Sequence, residues 1–111
     1  MKIVHIVEYY LDGWTYQENI LPAKQQLLGH DVTIITSKST PGYIFANIVD
    51  KDCYLDGYVK IIRLKYTKKR VILKFEKMFC ILCNEKPDLL FVHSYHLFRD
   101  KAIIKYKERN P

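Results

Sequence analysis

The chain predicts a three-layer α/β domain, a mostly parallel sheet with helices on both faces, and three observations predict it. An apolar run rich in β-branched residues, KIVHIVE at 2–8, runs into a turn holding Asp12 and Gly13 and then a helical segment closing in LLGH. A second such run, DVTIITS, begins two residues after Gly29, so the opening is a β-α-β unit. Later apolar runs alternate with helical patterns, and right-handed crossovers of that kind bring strands together in parallel.

Size and composition narrow the possibilities. A chain of 111 residues is one domain at most, and one of this size buries roughly two-thirds of its unfolded surface. Half the residues are apolar and about a quarter charged, which is globular rather than disordered, and nine tyrosines give amphipathic surface. There is no apolar run of roughly 20 residues and no signal-peptide pattern after Met1, so a cytoplasmic chain is expected. Three cysteines without a secretion signal argue against a disulfide framework. Cys80 and Cys83 are spaced as a metal pair, but a structural zinc site needs four ligands and no second pair follows, so both are expected in a helix core. The net charge of +6 is moderate, with local density in Lys60, Arg63, Lys65, Lys68, Lys69 and Arg70, a patch suited to phosphate or anionic lipid. No helix-turn-helix, zinc or aromatic strand motif accompanies it, so no nucleic-acid partner is expected.

In order, residues 2–8 read as the first strand, with His5 hydrogen-bonded near the rim of the core. Thr15 with Glu18 fits a capping box, so a helix starts near 15–16, and Ile20, Ala23, Leu27 and Leu28 form a core-facing stripe ending at a Gly29 cap. Pro22 removes a donor inside that helix and implies a kink or a short first segment. Residues 32–36 are the second strand. Residues 37–57 lose periodicity, with turn signals at TPG, DKD and DG, and suggest a binding insertion. Residues 59–64 form a third strand near an edge, YTKKR a basic turn, and 71–84 a helix with apolar residues at 71, 75, 78, 79 and 82. Lys86 and Pro87 end it, 89–93 is a fourth strand, and 99–109 a last helix with Ala102, Ile103 and Tyr106 inward.

Two loops meet at the carboxyl edge of such a sheet, where open α/β sheets bind ligands: 9–17 after the first strand and 93–96 after the fourth. Gly13 allows close backbone approach, and amides opening the next helix favour an anion. No GxGxxG or GxxxxGK[ST] is present, so no dinucleotide or nucleoside-triphosphate fingerprint exists. His93 and His96 suit ligand contact or proton transfer near neutrality, and Asp12 and Glu18 suit acid/base or hydroxyl contact. For Glu18 the helix terminus offers a plainer role. Asp12, Gly13, Trp14, Gln17, Glu18, His93 and His96 are therefore the candidate contacts, with no catalytic residue, cofactor or metal assigned.

MKIVHIVEYY, Gly13 within DGWTYQEN, LPAKQQLLGHDVTIITS and KPDLLFVHSYHLF together resemble the N-terminal, acceptor-side domain of the retaining glycosyltransferases built from two Rossmann-like domains, the GT-B architecture. The resemblance runs from residue 1 to about 109, with 37–58 carrying little of it. It implies a Rossmann-like fold, a role in moving a sugar from a nucleotide-sugar donor to an acceptor hydroxyl, and no activity without a complementary C-terminal domain. Gly13 matches one glycine of the family's loop, and Trp14 stands where many members have a second, offering a stacking surface for a sugar. His93 matches the histidine ending the fourth strand, with His96 beside it. The family's next strand and its donor-binding domain have no counterpart in residues 1–111, which the resemblance therefore reads as a partial domain. Peripheral contact with an anionic membrane through the basic segment would suit a lipid-linked acceptor. The alternative is a small Rossmann-like or flavodoxin-like nucleotide- or anion-binding module without transferase activity.

Overall fold

The computed structural model describes residues 1–10, 12–13, 17–38, 51–69, 72–93 and 101–110, the side chains of 18, 66–69 and 72–74 excepted. Among them, β1 (Lys2–Ile6), α1 (Gln17–Leu27), β2 (Asp31–Ser37), β3 (Cys53–Asp56), β4 (Val59–Leu64), β5 (Tyr66–Lys69), β6 (Ile72–Phe75), α2 (Met78–Glu85), β7 (Leu89–Val92) and α3 (Lys101–Arg109) follow one another. Five strands form one sheet in the order β3-β4-β2-β1-β7. β4, β2, β1 and β7 are parallel and β3 closes one edge antiparallel to β4, so the sheet is mostly parallel but mixed. This is a small Rossmann-like α/β domain.

The pleat assigns the two faces. His5 stands opposite Ile34 of β2 and Phe91 of β7, so Ile3, His5, Val7, Val32, Ile34, Val59, Ile61 and Arg63 share one face. Val4, Ile6, Ile35, Ile62 and Leu64 take the other, where Met78 and Leu82 of α2 and Ile103 and Tyr106 of α3 complete the larger apolar cluster. Ile103 and Tyr106 point inward as their helical spacing predicts. At the amino edge, Lys2 Nζ and Lys60 Nζ lie 2.8 and 2.6 Å from the Glu85 carboxylate and tie the end of α2 to β1 and β4. Burial pushes the Glu85 carboxyl up, but the hydrogen bonds from those two lysines outweigh it and hold it below the usual range.

Four local expectations change. Residues 53–56, inside the stretch without periodicity, are the edge strand β3; a two-residue turn with Gly57 at φ +64° returns the chain into β4. Residues 66–69 and 72–75, expected as a basic turn and the start of a helix, pair as a hairpin. The helical spacing of 71, 75, 78, 79 and 82 spans this boundary because Ile72 to Phe75 is equally good strand sequence; the helix starts only after Lys77, which turns the chain at φ 61°. Cys80 and Cys83 are exposed, because α2 turns Met78 and Leu82 to the sheet instead.

The fourth change concerns α1, a continuous helix with Pro22 within it. Its expected core stripe faces out, with Ile20, Leu27 and Leu28 at 43, 80 and 77 % exposure. The side toward the sheet carries Asn19, Pro22, Gln25 and Gln26. Polar satisfaction decides this orientation: Gln25 Oε1 meets the fully buried His5, and Gln26 Oε1 accepts from Val32 N at 3.1 Å. A buried polar atom left without a partner costs roughly 1–3 kcal/mol, comparable with the gain from burying one leucine. Leu27→Ala is accordingly expected to change stability by less than about 0.5 kcal/mol. Leu82→Ala, at a fully buried position, should cost about 2–5 kcal/mol in urea unfolding. Equal losses at the two sites would reverse this orientation of α1.

The Thr15 capping position, the 39–50 stretch, and Arg70 lie outside the described residues.

Candidate functional site

The chain runs from β1 to β2 and β4 on one side and returns to β7 on the other, so the strand order reverses between β1 and β7. Such switch points open a crevice at the carboxyl ends of the strands. His93 sits there directly after β7, its amide donating to Ile6 O at 3.0 Å. Its Nε2 lies 2.7 Å from His5 Nδ1, and His5 Nε2 lies 2.5 Å from Gln25 Oε1. An amide oxygen only accepts, so His5 donates from Nε2 and accepts at Nδ1, which makes His93 Nε2 the second donor. The chain of three side chains is thereby polarised in one direction, from the crevice toward α1.

The rings reinforce this alignment: His5 stacks on Phe91 at 4.9 Å and 9°, and on His93 at 5.0 Å and 27°. Burial lowers the His5 pKa to about 4; the Gln25 hydrogen bond opposes that shift, and the charge of His93 adds to it. His5 is therefore neutral at physiological pH.

The β1 loop takes a different course from the one expected. It folds as a strap over the β4–β3 part of the same sheet face. Tyr10 packs among Ile3, Val7, Ile34, Val59 and Ile61, and its hydroxyl donates to Asp56 Oδ2 at 2.6 Å. Gly13 N donates to the same carboxylate oxygen at 3.3 Å. Arg63, 1 % exposed, is the centre: Nε donates to Tyr54 Oη at 2.8 Å, Nη1 to Ser37 O at 2.9 Å and Nη2 to Tyr10 O at 2.9 Å. Tyr54 Oη in turn donates to Asp12 at 2.8 Å, and Nη2 pairs with that carboxylate at 3.4 Å. Burial, eased by the Arg63 hydrogen bond and reinforced by Asp12, pushes the Tyr54 hydroxyl up to about 12, so it stays protonated and donating.

The predicted contacts therefore separate into two groups. His93 lies at the switch point, whereas Asp12 and Gly13 are engaged by Arg63, Tyr54 and Asp56 on the strap. The Gly13 amide, expected to allow close backbone approach of a ligand, faces a carboxylate of the chain itself. Its φ of +75° explains the glycine, and no atom lies within 4 Å of where a Cβ would stand, so conformation rather than close approach requires it. Gln17 is exposed at the first position of α1. Trp14, His96 and the Glu18 side chain lie outside the described residues.

Sequence reasoning missed Gln25, Tyr54, Asp56 and Arg63. A signal existed for one of them: in VKIIRL, alternation puts Arg63 on the same face as Val59 and Ile61, and a charge on an inward register demands internal partners.

The basic segment is also divided. Arg63 is in the core and Lys60 is paired with Glu85, while Lys38, Lys60, Lys65 and Lys77 line a groove of about 560 Å3 with Asp52 and Glu85. The hydrogen bond from Lys38, with Lys65 and Lys77 nearby, holds the Asp52 carboxyl below its usual range.

Among the described residues, no group of three or more His, Cys, Asp or Glu is placed to hold a metal, and no helix is long and apolar enough to cross a membrane. Comparison with family models, curated proteins and solved structures returned no match. Fold and site define the class as a Rossmann-like α/β domain with a polarised histidine pair at its switch point.

Proposed function

We propose that this chain is a small Rossmann-like binding module that takes a small anionic or nucleotide-like molecule into the crevice between β1 and β7, without group-transfer chemistry of its own. The observation that carries this reading is His93 at the switch point, held by His5, which Gln25 orients. A histidine there has its ring set before the ligand arrives, so little rotamer entropy is lost on binding. An imidazole N–H so placed can donate to an oxygen of an anion.

The test is an NMR titration of the histidine ring signals with inorganic phosphate, AMP, UDP and FMN. Saturable movement of the His93 signals is expected with at least one of them, and His93→Ala should weaken that binding at least about tenfold, the loss of one charge-assisted hydrogen bond. A panel that moves no His93 signal, or binding unchanged by the substitution, rejects the proposal.

The acceptor-side half of a two-domain glycosyltransferase is the second reading. It is favoured by the position of the segments that carry the resemblance, since DVTIITS and LLFV flank KIVHI in parallel on its two sides. In that reading His93 contacts the acceptor and a complementary domain brings the nucleotide sugar. Turnover of a nucleotide sugar by the chain alone would sink both readings.

A further inference from the structure

Helix α2 opens with Met78-Phe79-Cys80-Ile81-Leu82-Cys83, and both cysteines are exposed. An unpaired cysteine is among the side chains most often buried, so packing does not account for this pair. Residues three apart on a helix are surface neighbours, with Cβ atoms roughly 5–6 Å apart. Two metal–thiolate bonds of about 2.3 Å each span about 4.6 Å, so staggered rotamers can bring both sulfurs onto one ion.

The surroundings limit which ion that is. A closed zinc site takes four ligands. Among the described residues no third His, Cys, Asp or Glu joins these two, and the Met78 thioether is 1 % exposed within the core. Two soft ligands satisfy an ion that accepts two-coordination. The first turn of α2 has no acid; Phe79, one turn before Cys83 on the same ridge, is covered by Lys105 Nζ at 4.5 Å and Arg109 Cζ at 5.4 Å, and Cys83 shares a groove with Lys86 and Asp88.

We propose that Cys80 and Cys83 form a two-coordinate site for a soft monovalent cation, with Cu(I) the biological ion of that character. Two S–H bonds break, two protons pass to solvent and two S–Cu bonds form. No electron is transferred, and the bis-thiolate complex carries one negative charge. The site is independent of the crevice between β1 and β7.

Anaerobic titration of the reduced chain with Cu(I) buffered by bicinchoninate tests this. One Cu(I) per chain is expected. Cys80→Ser and Cys83→Ser should each weaken binding beyond the roughly 10- to 100-fold typical of outer-shell changes, because each removes a direct ligand. Cys53→Ser should bind as the parent does. Both helix thiols are exposed, so the serine variants should retain the parent's thermal unfolding by circular dichroism, and that measurement accompanies the titration. Uptake unchanged in either helix variant, uptake abolished by Cys53→Ser, or copper held only in clusters shared between chains overturns the assignment.

Discussion

Arg63→Ala should cost about 2–5 kcal/mol, because it empties the volume of a buried side chain and takes donors away from buried acceptors. The guanidinium is fully enclosed and its donors serve four acceptors: Tyr54 Oη, Ser37 O, Tyr10 O and Asp12. Truncation removes the Arg63 donors from Ser37 O and Tyr10 O, opens a cavity and releases the strap. A domain of this size holds only about 5–15 kcal/mol in total, so the variant would lie near the edge of folding. Arg63→Lys keeps the charge but not the planar fork, and should lose about 2 kcal/mol. Urea unfolding of both variants measures the difference. Losses below 1 kcal/mol for the alanine variant would show that the network does not hold the strap.

The second large effect is acid sensitivity through His5. The unfolded chain takes up a proton on this side chain near pH 6.5, whereas the folded chain resists until about pH 4. Between those values the unfolded state binds more protons, so stability rises with pH. The His5 contribution is complete above pH 6.5 and is lost as pH falls through 4. Full expression of the shift corresponds to roughly 3 kcal/mol, about 1.4 kcal/mol for each pKa unit. Geometry supplies a cause besides burial: a proton on His5 Nδ1 would face the N–H of His93 and force that ring to change tautomer. His5→Asn removes the titration. It should be less stable than the parent at pH 7 yet lose less on going from pH 7 to pH 4 in urea unfolding. Parallel pH profiles for the two proteins would exclude His5 as the sensitive group.

How far the sequence carries depended on whether a segment's neighbours agreed with its own pattern. The strands β1 and β2 were legible because β-branched runs suit a sheet covered on both faces, β4 because apolar residues recur through VKIIRL, and β7 because LLFV is a short apolar run bounded by Pro87 and the expected 93–96 loop. Residues 72–75 failed for the opposite reason: ILKF is short, apolar and compatible with either period, and the helix behind it lent it a helical phase. In β3, alternation is confined to four residues, so the D-G turn that makes the hairpin had too little strand on one side to register. The α1 stripe misled because Ile20, Leu27 and Leu28 are what a core face looks like, while the reason to turn them outward is His5, a residue twenty positions from its partner Gln25. At the site, sequence placed His93 at a carboxyl strand end. It did not place His5 beside it, because which strands are neighbours is a property of the whole sheet. Asp12 and Gly13 were likewise legible as loop residues, and their partners in β3 and β4 were not.

The strap imposes an order of assembly. Its bonds join Tyr10, Asp12 and Gly13 to residues 42 to 53 positions further along the chain. The surface that receives it, Tyr54, Asp56 and Arg63, is presented by a hairpin closed across two residues. Closing a long loop costs chain entropy that only a formed partner surface can repay, so the hairpin precedes the strap on folding, and the strap opens first on unfolding. Loss of the Arg63 fork should therefore fall on the unfolding rate of the Arg63→Lys variant, leaving its folding rate near that of the parent. The guanidinium acts as a late latch, added to a sheet that is already in place.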